Sequence, residues 1–177
     1  MAGIWSRYMR MLEKYPLLTT AGTTGVLAST GDVASQMIIE KRGRNYDPVR
    51  SARFLVFGCV CLGPILRGWY FVLDKAFRGS RLAPIKMVLA DQLLFAPNIL
   101  WIFLTGMAAL RGESVEQIKT MLKRDYKSVL LNNYKLWPAA QIINFYFMPL
   151  HHRVLFVNFV ALGWNTYLAW VSERHHP

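Results

Sequence analysis

The sequence predicts an all-α integral membrane protein, a helical bundle of four to five spans with interfacial amphipathic helices, as one polytopic domain over 1–177. Charge segregation is the first reason. Stretches 17–39, 51–73, 88–110, 136–150 and 154–170 cover 101 of 177 residues but hold only Asp32, Arg53, Arg67 and Asp91, leaving 27 of the 31 charges to the rest. A helix of a soluble globule keeps a charged face wet along its length, and these stretches have none. Length is the second reason. A helix needs about 20 residues to cross the ~30 Å hydrocarbon layer, and three of the stretches are 23 residues long. Composition agrees, with 54 % hydrophobic and 18 % charged residues against roughly 25 % charged in an average soluble domain. An ordinary cytosolic enzyme is excluded.

Residues 1–16 set Trp5, Tyr8, Met9 and Leu12 at helical spacing beside Arg7, Arg10 and Lys14. That predicts an amphipathic interfacial helix that is retained, since no apolar run of secretory type follows within it. In 17–39, 13 of 23 residues are Gly, Ala, Ser or Thr. The series Ala21, Gly25, Ser29 suits close helix approach, so this span is expected inside the bundle, away from lipid. Gly63-Pro64 in 51–73 and Pro97 in 88–110 predict kinks. Ser114 with Gln117 reads as a capping box. It opens an amphipathic helix over 114–130, with Lys119, Lys123, Arg124 and Lys127 turned from its apolar face. The last third gives two short spans, 132–150 and 154–170, divided by His151-His152-Arg153. Either both cross as a hairpin or one lies at the interface, which leaves the count at four or five. On a four-span reading the two sides carry eight and eleven basic residues, too even for the positive-inside rule to set an orientation.

Ionisable and amide groups within spans are the candidate functional residues: Asp32, Gln36, Arg67, Asp91, Gln92, Gln141 and Asn144. Asp32 and Gln36 lie one turn apart on one face, and Gln141 and Asn144 share another. Groups of this kind face a bundle interior or a water-filled path. Two readings stay open: a polar lumen in which the carboxylates favour cations, or a hydrogen-bonded network clamping helices together. Arg67 is expected to pair with Asp32 or Asp91. Trp69, Tyr70, Trp137, Tyr146, Trp164, Tyr167 and Trp170 fit interfacial anchoring.

The excess of 21 Lys and Arg over 10 Asp and Glu lies in short clusters between apolar stretches, as at a membrane surface. No recognition motif points to direct nucleic-acid binding. Cys59 and Cys61 read as buried thiols, because positions two apart on a helix diverge. His151-His152 lacks a third convergent ligand for a metal. No nucleophile elbow, phosphate-binding glycine loop or zinc-protease motif is present, so neither a catalytic site nor a cofactor is expected.

Ordered landmarks run through the chain: Trp5, Tyr8, Tyr15-Pro16, Gly31-Asp32, Gln36, Asp47 with Arg50 and Arg53, Gly63-Pro64, Trp69-Tyr70, Asp91-Gln92 and Pro97. The densest block is Asn133-Tyr134, Trp137-Pro138, Gln141, Asn144-Phe145, Pro149 and Arg153, and Trp164-Asn165, Tyr167 and Leu168 close the series. In these the chain resembles the Mpv-seventeen/peroxisomal-membrane-protein-twenty-two family, and from Arg124 to Arg153 most of all its mitochondrial inner-membrane branch. Arg67 departs from that branch's small residue, so ion selectivity is not carried across. The resemblance implies a multi-pass protein of the mitochondrial inner membrane, with the peroxisomal membrane as alternative. It implies a channel or pore for small solutes that contributes to metabolite balance and mitochondrial DNA maintenance. The competing expectation is a structural or scaffold protein without transport. Expected partners are the lipid bilayer, small-molecule or ion solutes and further copies of the chain in a homo-oligomer.

Overall fold

The computed structural model describes residues 2–147 and 153–174, and these form six helices without a strand. Helix α1 is Ala2–Lys14. Pro16, at a first-turn position that needs no N–H donor, starts α2, which runs Pro16–Ala34 and ends in a π turn, Ser35–Ile39. The Thr19 hydroxyl donates to the Met11 carbonyl at 2.9 Å, and the Tyr8 and Thr23 hydroxyls lie 3.3 Å apart, so α1 folds against the start of α2.

Asp47 caps α3, Pro48–Phe77, by accepting from the Arg50 N–H at 3.0 Å. A π turn, Gly58–Leu62, precedes Gly63-Pro64. Pro64 has no N–H, and its ring would press on the carbonyl four residues earlier. A widened turn relieves that clash. Helix α4 repeats the device: Ala83–Ala90, a π turn Asp91–Phe95, then Ala96–Leu110 with Pro97 just past the turn. The expected distortions at both prolines are thus π turns. Gly112 reverses the chain at φ +82°, and the expected Ser114–Gln117 capping box is formed.

The segment expected as a separate surface helix over 114–130 is instead continuous with the span after it. Helix α5 runs Val115–Met121, a π turn Leu122–Tyr126, and Lys127–Tyr146. No Gly or Pro stands between residues 115 and 137 to end it, and the Tyr126 hydroxyl ties it to the Pro97 carbonyl at 2.9 Å. Helix α6 is Arg153–Glu173. The end of the expected span 132–150, the His151-His152 pair and the Asn144 side chain lie outside the described residues.

Helix α2 meets α3 and α6 through small residues. A Cβ on Gly31 would stand 2.6 Å from the Asn165 Cβ, one on Gly58 2.6 Å from the Gly25 Cα, and one on Gly63 would strike the Ala21 backbone. The expectation that α2 is wholly interior is corrected: Leu18, Val26 and Ile38 are exposed, because α1, α3 and α6 cover only part of its circumference. Phe54, Leu100, Phe103, Leu104, Val129, Trp164 and Leu168 form the apolar core across α3 to α6. Among the described residues two helices, Pro48–Phe77 and Ile85–Leu110, are long and apolar enough to cross a membrane, at 30 and 26 residues and mean hydropathy 1.6 and 1.9. Outward Val60, Phe71, Leu93 and Leu94 are exposed on them, the surface a lipid chain would cover.

Candidate functional site

Among the described residues, the largest groups of polar side chains gather in two places. The first is the end of the bundle where α2 and α6 finish and α3 begins. Asp32, Gln36 and Glu40 repeat every four residues, which sets them on one face of α2 and its π turn. The Gln36 amide donates to Asp32 Oδ2 at 2.8 Å and to the Asp47 carbonyl at 3.0 Å, while its oxygen accepts from the Asp47 N–H at 2.7 Å. Ser51 donates to Asp32 Oδ2 at 2.6 Å and accepts from the Tyr46 hydroxyl at 2.8 Å.

Arg50 stands at the centre, with only 2 % of its side chain exposed. Its two terminal nitrogens grip both oxygens of Glu40 at 2.8 and 2.7 Å, the bidentate form that strengthens such pairs. Its Nε lies 2.6 Å from Asp32 Oδ1 without a well-aligned hydrogen bond, so that contact is Coulombic attraction alone. Glu173 of α6 approaches the same Nε at 3.9 Å and accepts from Arg111 at 2.8 Å, and Arg111 also holds Glu113 at 2.6 Å. Close by, Asp125 is fully buried between Arg124, at 2.8 Å, and Arg174. Burial alone would raise the Glu40 carboxyl, but hydrogen bonds from Arg50 and Ser35 and the Arg50 charge bring it down to about 2. Burial also works against the charge of Asp125, and its two arginines outweigh that and lower it.

The second place is the opposite half of the bundle. Asp91, in the π turn of α4, accepts from the Trp69 indole N–H at 3.0 Å and from the Gln92 amide at 3.2 Å. The Gln92 oxygen accepts from Asn133 of α5 at 3.1 Å. Trp69 stacks on Phe95 with ring centres 5.0 Å apart. Among the described residues no cation pairs with Asp91.

The expected residues therefore separate. Asp32 and Gln36 join at one end, Asp91 and Gln92 in the other half. Arg67 pairs with neither carboxylate and is exposed on α3. Trp69, which does reach Asp91, lies two positions further on, and that spacing turns Arg67 well over 90° away. Gln141 is half-buried in α5, and no hydrogen bond among the described residues joins it to either group. Cys59 and Cys61 are free and half-buried. Among the described residues no three His, Cys, Asp or Glu side chains converge as metal ligands. Sequence reasoning missed Arg50, Glu40, Ser51, Arg111, Asp125 and Glu173 as interior groups. Glu40 continued the four-residue spacing of Asp32 and Gln36, and that signal was there to be used.

The model of the Mpv17 / PMP22 family matches residues 108–169. "Mitochondrial inner membrane protein Mpv17" of Xenopus laevis is 43 % identical over 98 % of this chain and 99 % of its own length. The protein of that name from Homo sapiens is 40 % identical over 97 % and 98 %. "Protein sym-1" of Neurospora crassa is 42 % identical over 96 % and 99 %. No solved structure matches.

Proposed function

We propose, on the premise that this chain belongs to the Mpv17 / PMP22 family, that it is a small-solute pore whose interior carboxylate, Asp91, favours cations, held closed by the ionic cluster around Arg50. The chain is a mitochondrial inner-membrane protein, as its relatives are named, and those relatives are named as membrane proteins, not as enzymes. As one polytopic domain, its helices α2 to α6 make five crossings. The α6 end pairs with Arg111 and Asp125 beside the α4–α5 turn, which favours an odd number over four. Metabolite balance and mitochondrial DNA maintenance are the roles such a pore would serve, as the family resemblance implies, and no enzymatic step or cofactor is assigned.

Asp91 carries this reading. A carboxylate inside the most apolar helix, held by an indole and an amide without a cation among the described residues, has a high desolvation penalty unless it meets water or a passing solute. Asp32 is different, since Gln36 and Ser51 hydrogen-bond its Oδ2 and the Arg50 charge lies 2.6 Å from its Oδ1. It serves the clamp, while Asp91 serves the path. Purified protein in a planar bilayer tests this. Open channels whose cation preference falls with Asp91→Asn are expected. A silent protein of intact fold favours the second reading, a scaffold, which the close pairing of Asp32 also supports.

A further inference from the structure

We propose that the outer face of α1 holds the phosphate of an anionic phospholipid. Arg7, Arg10, Met11, Lys14 and Tyr15 line a groove of about 330 Å³. Spacing of three, four and seven residues sets Arg7, Arg10, Met11 and Lys14 on one stripe of the helix, and Tyr15 follows directly after its end. The other side is committed to the bundle, through Tyr8 against Thr23 and the Met11 carbonyl bound by Thr19.

The groove's chemistry selects its occupant. Three cations and no carboxylate line it; Glu13, the one acid of α1, is not among the lining residues. The Lys14 ammonium stands over the Tyr15 ring, 5.2 Å from its centre, a position that cation–π attraction holds. Met11 and Tyr15 supply an apolar floor. The groove is open to its surroundings, so it can seat a headgroup phosphate at the surface without enclosing a whole lipid. Leu17 and Leu18, directly beyond Pro16, are exposed and give acyl chains an apolar surface to follow. Basic side chains at a bilayer surface are drawn to anionic headgroups, and here three of them line one open groove. The site stands independently of the pore reading, because it needs only that α1 lie at a bilayer surface.

Native mass spectrometry of the full chain, released from nanodiscs of phosphatidylcholine and phosphatidylglycerol in equal parts, tests it. Wild type is expected to retain phosphatidylglycerol over phosphatidylcholine. The Arg7→Gln/Arg10→Gln/Lys14→Gln variant should lose that preference by about fivefold for each cation removed. A control removing equal charge, Lys75→Gln/Arg78→Gln/Arg81→Gln, should keep it. So should the charge-conserving Arg7→Lys/Arg10→Lys/Lys14→Arg variant, which also serves if the neutral variant fails to fold. Equal loss in the neutral variant and the control would overturn the site in favour of diffuse surface charge. Displacement of the lipid by millimolar inorganic phosphate would overturn the lipid as its occupant.

Discussion

At the scale of single residues, Arg50 is the centre of the ionic cluster at one end of the bundle. It is 1 % exposed and faces Asp32 and Glu40 from α2 and its C-terminal end, and Glu173 from α6. Removing one partner of a buried ion pair leaves the other charge uncompensated, which costs about 3–5 kcal/mol. Arg50→Met should therefore lower the melting temperature in detergent sharply. Asp32→Asn should lower it less, because Arg50 keeps Glu40. The double variant should lose less than the sum, since the two side chains share one interaction. Additive losses would show that the pair is not coupled. The low value of Glu40 also sets a pH dependence. Its folded value, about 2, is below the ordinary 4.5, so its stabilisation is complete above pH 4.5 and fades as pH falls toward 2. The melting-temperature gap between wild type and Glu40→Gln should be constant from pH 7 to about 5 and narrow below 4.5. A gap that widens in acid would contradict the cluster. Sequence reasoning found Asp32 and Gln36 because their four-residue spacing lies on one helix. It paired the wrong arginine because Arg50 reaches Asp32 across a turn, and no local pattern encodes that distance.

At the scale of helices, small residues set how closely axes approach. A Cβ on Gly31 would meet both the Cβ and the backbone carbonyl carbon of Asn165, at 2.6 and 2.8 Å. Backbone cannot swing aside as a side chain can. Gly31→Ala should therefore cost about 1–3 kcal/mol, the usual range for overpacking. Gly22→Ala, with nothing within 4 Å, should be neutral or slightly stabilising, by up to about 1 kcal/mol from helix propensity. Thermal unfolding of both in one detergent checks the contrast, and equal effects would contradict the α2–α6 contact. The abundance of small residues in 17–39 made this close packing legible. The exposure of Leu18 and Val26 was not, because composition says how near a helix can come but not how many neighbours it has. The π turns before Pro64 and Pro97 were legible as distortions. Their form was not, since the missing N–H of proline allows either a bend or a widened turn.

At the scale of the whole molecule, five helices alternate in direction, and the ionic cluster and Asp91 occupy opposite halves. The all-helical, membrane-spanning class was plain from the charge-free stretches, whereas the number of crossings turned on two short segments near the length limit. Arg111–Glu173 and Arg174–Asp125 set the α6 end beside the α4–α5 turn. In a Cys59→Ala/Cys61→Ala background, an Asn45→Cys label and a cysteine appended after Pro177 should react from the same side of sealed vesicles, and Ser80→Cys from the other. An appended cysteine reacting with Ser80→Cys would restore the four-span arrangement. The central claim is that the polar residues divide the work, with the Arg50 cluster holding the bundle and Asp91 meeting the solute. Its most direct test is the reversal potential of single open channels under a salt gradient, with melting temperature measured on the same preparations of wild type, Asp91→Asn and Asp32→Asn. A charge acts most strongly on a passing ion where the dielectric is low. Asp91→Asn should therefore move the reversal potential away from cation preference with little change in melting, while Asp32→Asn lowers melting and leaves the reversal potential of the channels that open unchanged. Identical reversal potentials in wild type and Asp91→Asn, or a shift confined to Asp32→Asn, would contradict it.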